Sequence, residues 1–165
     1  MVYIIIASAA VIVLCAVLIY VYSVNNKKKK KADAEKSVFR SVSYSVSGGM
    51  EGGGFDVTLS AFDELVLSVY DCPYHGAKEK RTKRSVPLSV SEEIASILKK
   101  SELKAWSEAP ESDTFTLDAP TTSFSVWYRD GDSFNVSLER DIPPEAFDTI
   151  NAVKELMLKY AGRRK

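Results

Sequence analysis

The sequence predicts an α+β protein: an N-terminal transmembrane helix, then an antiparallel sheet of about five to six strands with two helices packed on one face. Three observations predict it. Residues 1–26 carry no charged side chain, and residues 27–31 are all lysine. Apolar residues then alternate with hydroxylated ones in short runs separated by glycine, proline and acidic residues. Two further stretches space their apolar residues by three and four, as helices do.

Within 2–24, thirteen of the residues are Val, Ile or Leu. Wound as a helix at about 1.5 Å per residue, this stretch spans roughly 34 Å, enough for a hydrocarbon core about 30 Å thick. Its aliphatic residues favour insertion by on the order of 5 kcal/mol together, with no charge opposing them. A cleavable export signal would want a basic start and a shorter apolar core. The chain therefore divides into a membrane anchor at 1–26, a basic juxtamembrane tether at 27–36 and a soluble α+β domain at 37–165.

Lysine is retained on the cytoplasmic side during insertion, so Lys27, Lys28, Lys29, Lys30 and Lys31 predict a single-pass protein of the cell membrane with its soluble domain in the cytoplasm. They also suit anionic headgroups. Ala9, Ala16 and Ser23 recur at intervals of seven and share one helix face, where small side chains admit a partner helix or a second copy of this one. Every Asp and Glu follows the lysine run: from residue 32 onward, 22 acidic residues face 17 basic ones, a balance that disfavours nucleic acid.

In the soluble part, Val38, Val42, Tyr44 and Val46 mark a first strand, closed by a glycine-rich hairpin link at 47–54. Phe55, Val57, Leu59 and Ala61 make the second strand; after a turn at Asp63 and Glu64, Leu65, Leu67 and Val69 make the third. A charged loop at 71–83 leads to a brief or edge strand at Val86, Leu88 and Val90, limited by Pro87. Ser89 or Ser91 then caps a helix whose stripe is Ile94, Ile97 and Leu98, and Leu103 and Trp106 prolong the apolar signal. Phe115 and Leu117 mark a short strand.

Phe124, Val126 and Tyr128 alternate up to Asp130 and Gly131, and Phe134, Val136 and Leu138 alternate away, predicting a hairpin with a two-residue loop. Pro143 and Pro144 open a last helix with Phe147, Ile150, Val153, Met157 and Tyr160 on one face and Gly162 at its end.

The segment Ser47-Gly48-Gly49, Trp106 after the first soluble helix, Asp118 before a strand, the Asp130-Gly131 hairpin and the proline-led helix with Phe147 together resemble small α+β domains of unknown function, found behind export or membrane segments in bacterial and archaeal proteins. The resemblance covers about 38–157; where the pattern has a glycine after the aspartate, this chain has Ala119 and Pro120. It implies the fold and no catalytic residues.

Candidate sites are few. Cys72 and His75 are spaced as a ligand pair, but a closed zinc site needs four ligands and the soluble part has no other Cys or His, so no metal or cofactor is expected. The glycine-rich link leads into a strand and lacks the lysine of a phosphate loop. Lys78, Lys80, Arg81, Lys83 and Arg84 form a second basic cluster, read either as a loop resting on the anionic leaflet or as a solvated hairpin tip whose charges discourage edge pairing. No catalytic residue is assigned. The expected function is a non-enzymatic membrane-tethered interaction module, with the bilayer, a membrane or cytoplasmic protein, or a second copy as partners. The alternatives are a membrane-proximal enzyme using carboxylate or lysine chemistry and a sensor of anionic lipid surfaces.

Overall fold

A computed structural model of the chain describes residues 2–48, 52–111 and 119–162, with side chains from residue 14 onward. Its elements are α1 (Val2–Lys36), β1 (Phe39–Gly48), β2 (Gly54–Ala61), β3 (Leu65–Cys72), β4 (Lys80–Ser85), α2 (Leu88–Ile97), α3 (Lys100–Ser107), β5 (Pro120–Tyr128), β6 (Ser133–Ser137) and α4 (Pro144–Ala161). The six strands form one antiparallel sheet in the order β4-β3-β2-β1-β5-β6. The α+β class and the meander of the first strands are thus as the alternation predicts.

The period of two sorts the sheet into two faces. Register lines up Leu67, Leu59, Val42, Val126 and Phe134 across the strands on one face, and Val69, Val57, Tyr44, Phe124 and Val136 beside them. All but the half-buried Phe134 are buried. Helix α4 closes this face over β2, β3 and β4 with Ala146, Ile150, Val153 and Met157, while α2 packs on α4 and α3 on β6. At about 25 cal/mol per Å² of apolar area, fully burying each large side chain contributes about 1.5–3 kcal/mol, so this layer is the main source of stability.

The tether residues 27–36 are helical: α1 runs unbroken through them, since lysine, alanine and glutamate are good helix formers. Four expectations are corrected. Residues 86–90 are not a strand; α2 begins at Leu88 behind Pro87, and Val90 and Ile94, four apart on one helical face, are both buried. No serine caps it, and Ser91 lies buried inside the helix. Two soluble helices become three, since extended backbone at Leu98 and Lys99 separates α2 from α3. Finally, the β5–β6 loop has three residues, because Tyr128 N–H donates to Asp132 O at 2.8 Å and Gly131 takes φ 105°. The strand expected at Phe115 and Leu117 lies outside the described residues.

Among the described residues no helix is long and apolar enough to cross a membrane. The apolar stretch 2–24 nevertheless lies wholly on one helical backbone.

The end of α1 is joined firmly to the sheet. Ala34 is fully buried, and Ser37 Oγ lies 2.7 Å from Ser91 Oγ of α2. Arg129, in the β5–β6 loop, donates to Ala34 O at 2.7 Å, Ser37 O at 3.1 Å and Ala61 O at 2.8 Å. One guanidinium therefore satisfies a terminal carbonyl of α1, the link to β1 and the end of β2, and sets a positive charge at the negative end of the helix dipole.

Candidate functional site

Among the described residues, no helix covers the second face of the sheet. Its rows read Ser137, Ser123, Ser45, Asp56, Tyr70, Arg81; then Asn135, Ser125, Ser43, Thr58, Ser68, Lys83; then Ser133, Trp127, Ser41, Ser60, Val66, Ser85. The mostly hydroxylated side expected of the first strand thus continues across the sheet as a polar surface. Many satisfy one another: Ser45 and Ser123 hydroxyls lie 2.8 Å apart, Ser125 donates to Asn135 Oδ1 at 2.8 Å, and Thr58 donates to Asp56 Oδ1 at 2.8 Å.

Two features interrupt this surface. At the end where α1 enters, exposed Phe62 and Trp127 meet edge to face with centroids 6.4 Å apart, and the Arg40 guanidinium lies 5.2 Å from the Trp127 ring centroid. Arg40 reaches there because the register shifts between Phe39 and Ser41, inserting it as a bulge. Toward β4, Asp56 is half-buried; desolvation raises its pKa above the usual aspartate value, and the hydrogen bond from Thr58 opposes that rise.

Three shallow depressions lie on this face. One of about 600 Å³ is lined by Ser41, Ser125, Trp127, Ser133 and Asn135 among others, and one of about 370 Å³ by Asp56, Ser68, Tyr70, Arg81 and Lys83. The third, about 460 Å³, gathers Phe62, Asp63, Glu64, Lys83, Arg84 and Ser85. Four ionisable groups meet there, but Glu64 is held: Lys30 Nζ is 2.9 Å away and Ser85 Oγ donates at 2.8 Å. The Lys30 hydrogen bond in particular keeps the Glu64 carboxyl below its ordinary range, so it is an ionised strut and not a proton donor at neutral pH. The arrangement suits contact with another surface better than proton transfer.

The second basic cluster is neither a loop nor a hairpin tip, apart from Lys78 in the β3–β4 link. Lys80, Arg81, Lys83 and Arg84 form most of β4, an edge strand exposed along its whole length. Arg81 and Lys83 stand beside Tyr70 and Ser68 on the open face; Arg84 pairs with Leu67 and approaches Gly162 at the end of α4. Ser85 lies against Lys30 of α1, so Lys80 is about 17 Å further along the strand. Lys27, Lys28, Lys29 and Lys31 are exposed on α1. Ala16 and Ser23 are exposed there too, while the Ala9 side chain lies outside the described residues.

Cys72 is buried, its Sγ 3.3 Å from Tyr74 O, and His75 is exposed in the following turn. Among the described residues no group of three or more His, Cys, Asp or Glu side chains could hold a metal ion.

Sequence reasoning missed Arg129, the Lys30–Glu64 pair and the chemistry of β4. Only β4 left a signal, its Lys/Arg-rich run. No protein-family model and no curated protein matches the chain.

Proposed function

We propose that this is a single-pass membrane protein whose α+β domain, held on the cytoplasmic side, serves as a non-enzymatic interaction module. One observation carries the reading. From Leu14 on, the apolar stretch of α1 stands clear of the domain: Leu14, Val17, Leu18, Ile19, Tyr20, Val21 and Tyr22 are each between 47% and 74% exposed. A helix apolar on all sides needs an apolar surrounding, and lipid supplies it. The charged turns of α1 then cross the headgroup layer, where each of the exposed lysines adds about 1 kcal/mol on an anionic leaflet. Two surfaces remain for partners, the hydroxylated open face and the bare edge of β4.

Extraction of native membranes with alkaline carbonate tests the anchor. Full-length protein is expected in the pellet, beginning before residue 24 when its N-terminus is sequenced. Release into the supernatant, or a mature start beyond that residue, rules the reading out. Protease added to right-side-out vesicles is expected to leave the domain intact, and digestion would reverse the orientation.

A further inference from the structure

The two edges of the sheet are treated differently. Beside β6, α3 packs against the strand, and Arg140 donates to Ser107 O at 2.8 Å and Ala109 O at 2.9 Å, fixing the segment that follows α3 next to it. Beyond β4, among the described residues, no strand pairs with the edge, and all six of its residues are exposed.

Backbone alternation shows what β4 offers. Val86 N–H donates to Leu65 O at 3.0 Å, which makes that a hydrogen-bonded pair of the β3–β4 ladder. Antiparallel ladders alternate hydrogen-bonded with non-hydrogen-bonded pairs. Arg84, Thr82 and Lys80 therefore turn their N–H and C=O groups toward β3, while Ser85, Lys83 and Arg81 turn theirs outward. These three also carry their side chains on the open face, beside Val66, Ser68 and Tyr70.

We infer that β4 accepts an extended acidic segment of a partner protein as a seventh strand. The inference rests on the interaction-module reading and names the partner's chemistry. Unpaired backbone donors and acceptors in alternation recognise another backbone, and pockets for alternate side chains give such pairing its specificity. The depressions of about 370 and 460 Å³ meet at Lys83, within reach of alternate residues of an added strand spaced about 7 Å apart. Lys83 lines both, Arg81 the first and Arg84 the second. Lys83 has no ion pair among the described residues, so a carboxylate there finds an available cation. The same charges reject a second copy of β4, which would set Lys and Arg against Lys and Arg. Anionic lipid would satisfy the charges but not the backbone groups.

The test uses full-length protein in detergent micelles and a fluorescent peptide of about eight residues alternating glutamate and valine, long enough to match a strand of ordinary length. Saturable binding is expected, weakened about tenfold or more by R81E/K83E together, as for loss of close charge pairs. Lys83→Pro removes one outward N–H and no bond to β3, and is expected to weaken binding comparably while circular dichroism stays unchanged. Should Lys83→Pro fail to fold, R81E/K83E decides alone. An alternating lysine and valine peptide is expected not to bind. Absence of saturable binding, binding indifferent to R81E/K83E, or R81E/K83E-sensitive binding to anionic vesicles without peptide binding would each overturn the inference. A photo-cross-linker at Ser43 in the open face separates the two readings: adducts formed in native membranes despite failure of the peptide remove the β4 inference alone.

Discussion

At the scale of single residues, Arg129 makes the contacts with the widest reach. Its guanidinium serves three backbone carbonyls, at the end of α1, in the link to β1 and at the end of β2, and hydrogen bonds from charged donors contribute about 1.5–3 kcal/mol where their partners would otherwise be left unsatisfied. Arg129→Met is expected to lower stability by about 2–3 kcal/mol in chemical denaturation of the detergent-solubilised protein. Arg129→Lys is expected to recover only part, since a point-like ammonium cannot span the same fork. Asp56 acts in the opposite sense. Its folded-state pKa is raised, so the folded protein binds a proton more readily than the unfolded chain, and stability from this group falls as pH rises from the ordinary 3.8 through the raised value. Asp56→Asn is expected to match wild type below that window and to melt at higher temperature above it, as thermal scans across the acidic range will show.

At the scale of elements, hydrophobic pattern was a good guide wherever an element has one apolar and one polar face. β1, β2, β3, β5, β6 and α4 meet that condition and stand where alternation or the 3.6 period put them, except that the bulge at Arg40 buries Phe39 and leaves Val38 exposed ahead of β1. β4 has no buried side chain, so nothing in its own residues announces a strand; it forms because β3 needs a partner for its outward backbone. Leu88 and Val90 with serines between them fit either period, and packing onto α4 decides for the helix. The open face was foreseeable as a row of hydroxyls, but its aromatic corner was not, because Phe62, Trp127 and Arg40 come from separate segments and meet only through register.

Gly53 is a second element-scale constraint. A Cβ there would lie 2.5 Å from Pro73 O and 2.7 Å from Cys72 O, so the start of β2 and the end of β3 pass too closely for a side chain. Gly53→Ala is expected to cost about 1–3 kcal/mol in thermal or chemical denaturation, as other forced overpacking does.

At the scale of the whole molecule, the C-terminal end of α1 is fixed to the domain through Ala34, Ser37 and Arg129. A proline at position 29 would remove a hydrogen bond in the middle of α1 and clash with the preceding turn, while leaving Ala34, Ser37 and Arg129 in place. In lipid nanodiscs, time-resolved anisotropy of the tryptophans is expected to show wild-type domain rotation locked to the disc. Lys29→Pro is expected to add a faster independent component at an unchanged domain melting temperature. Equal decay curves for the two would mean that the junction is loose already.

A stiff shaft converts residue count into compass bearing. Each residue added to α1 between its apolar stretch and Ala34 turns everything beyond it by about 100° and carries it about 1.5 Å along the axis. The heading of the β4 edge around the shaft is thus written in the length of the lysine turns. A single alanine inserted ahead of Lys30 would aim it elsewhere while leaving the Lys30–Glu64 pair and the sheet as they are.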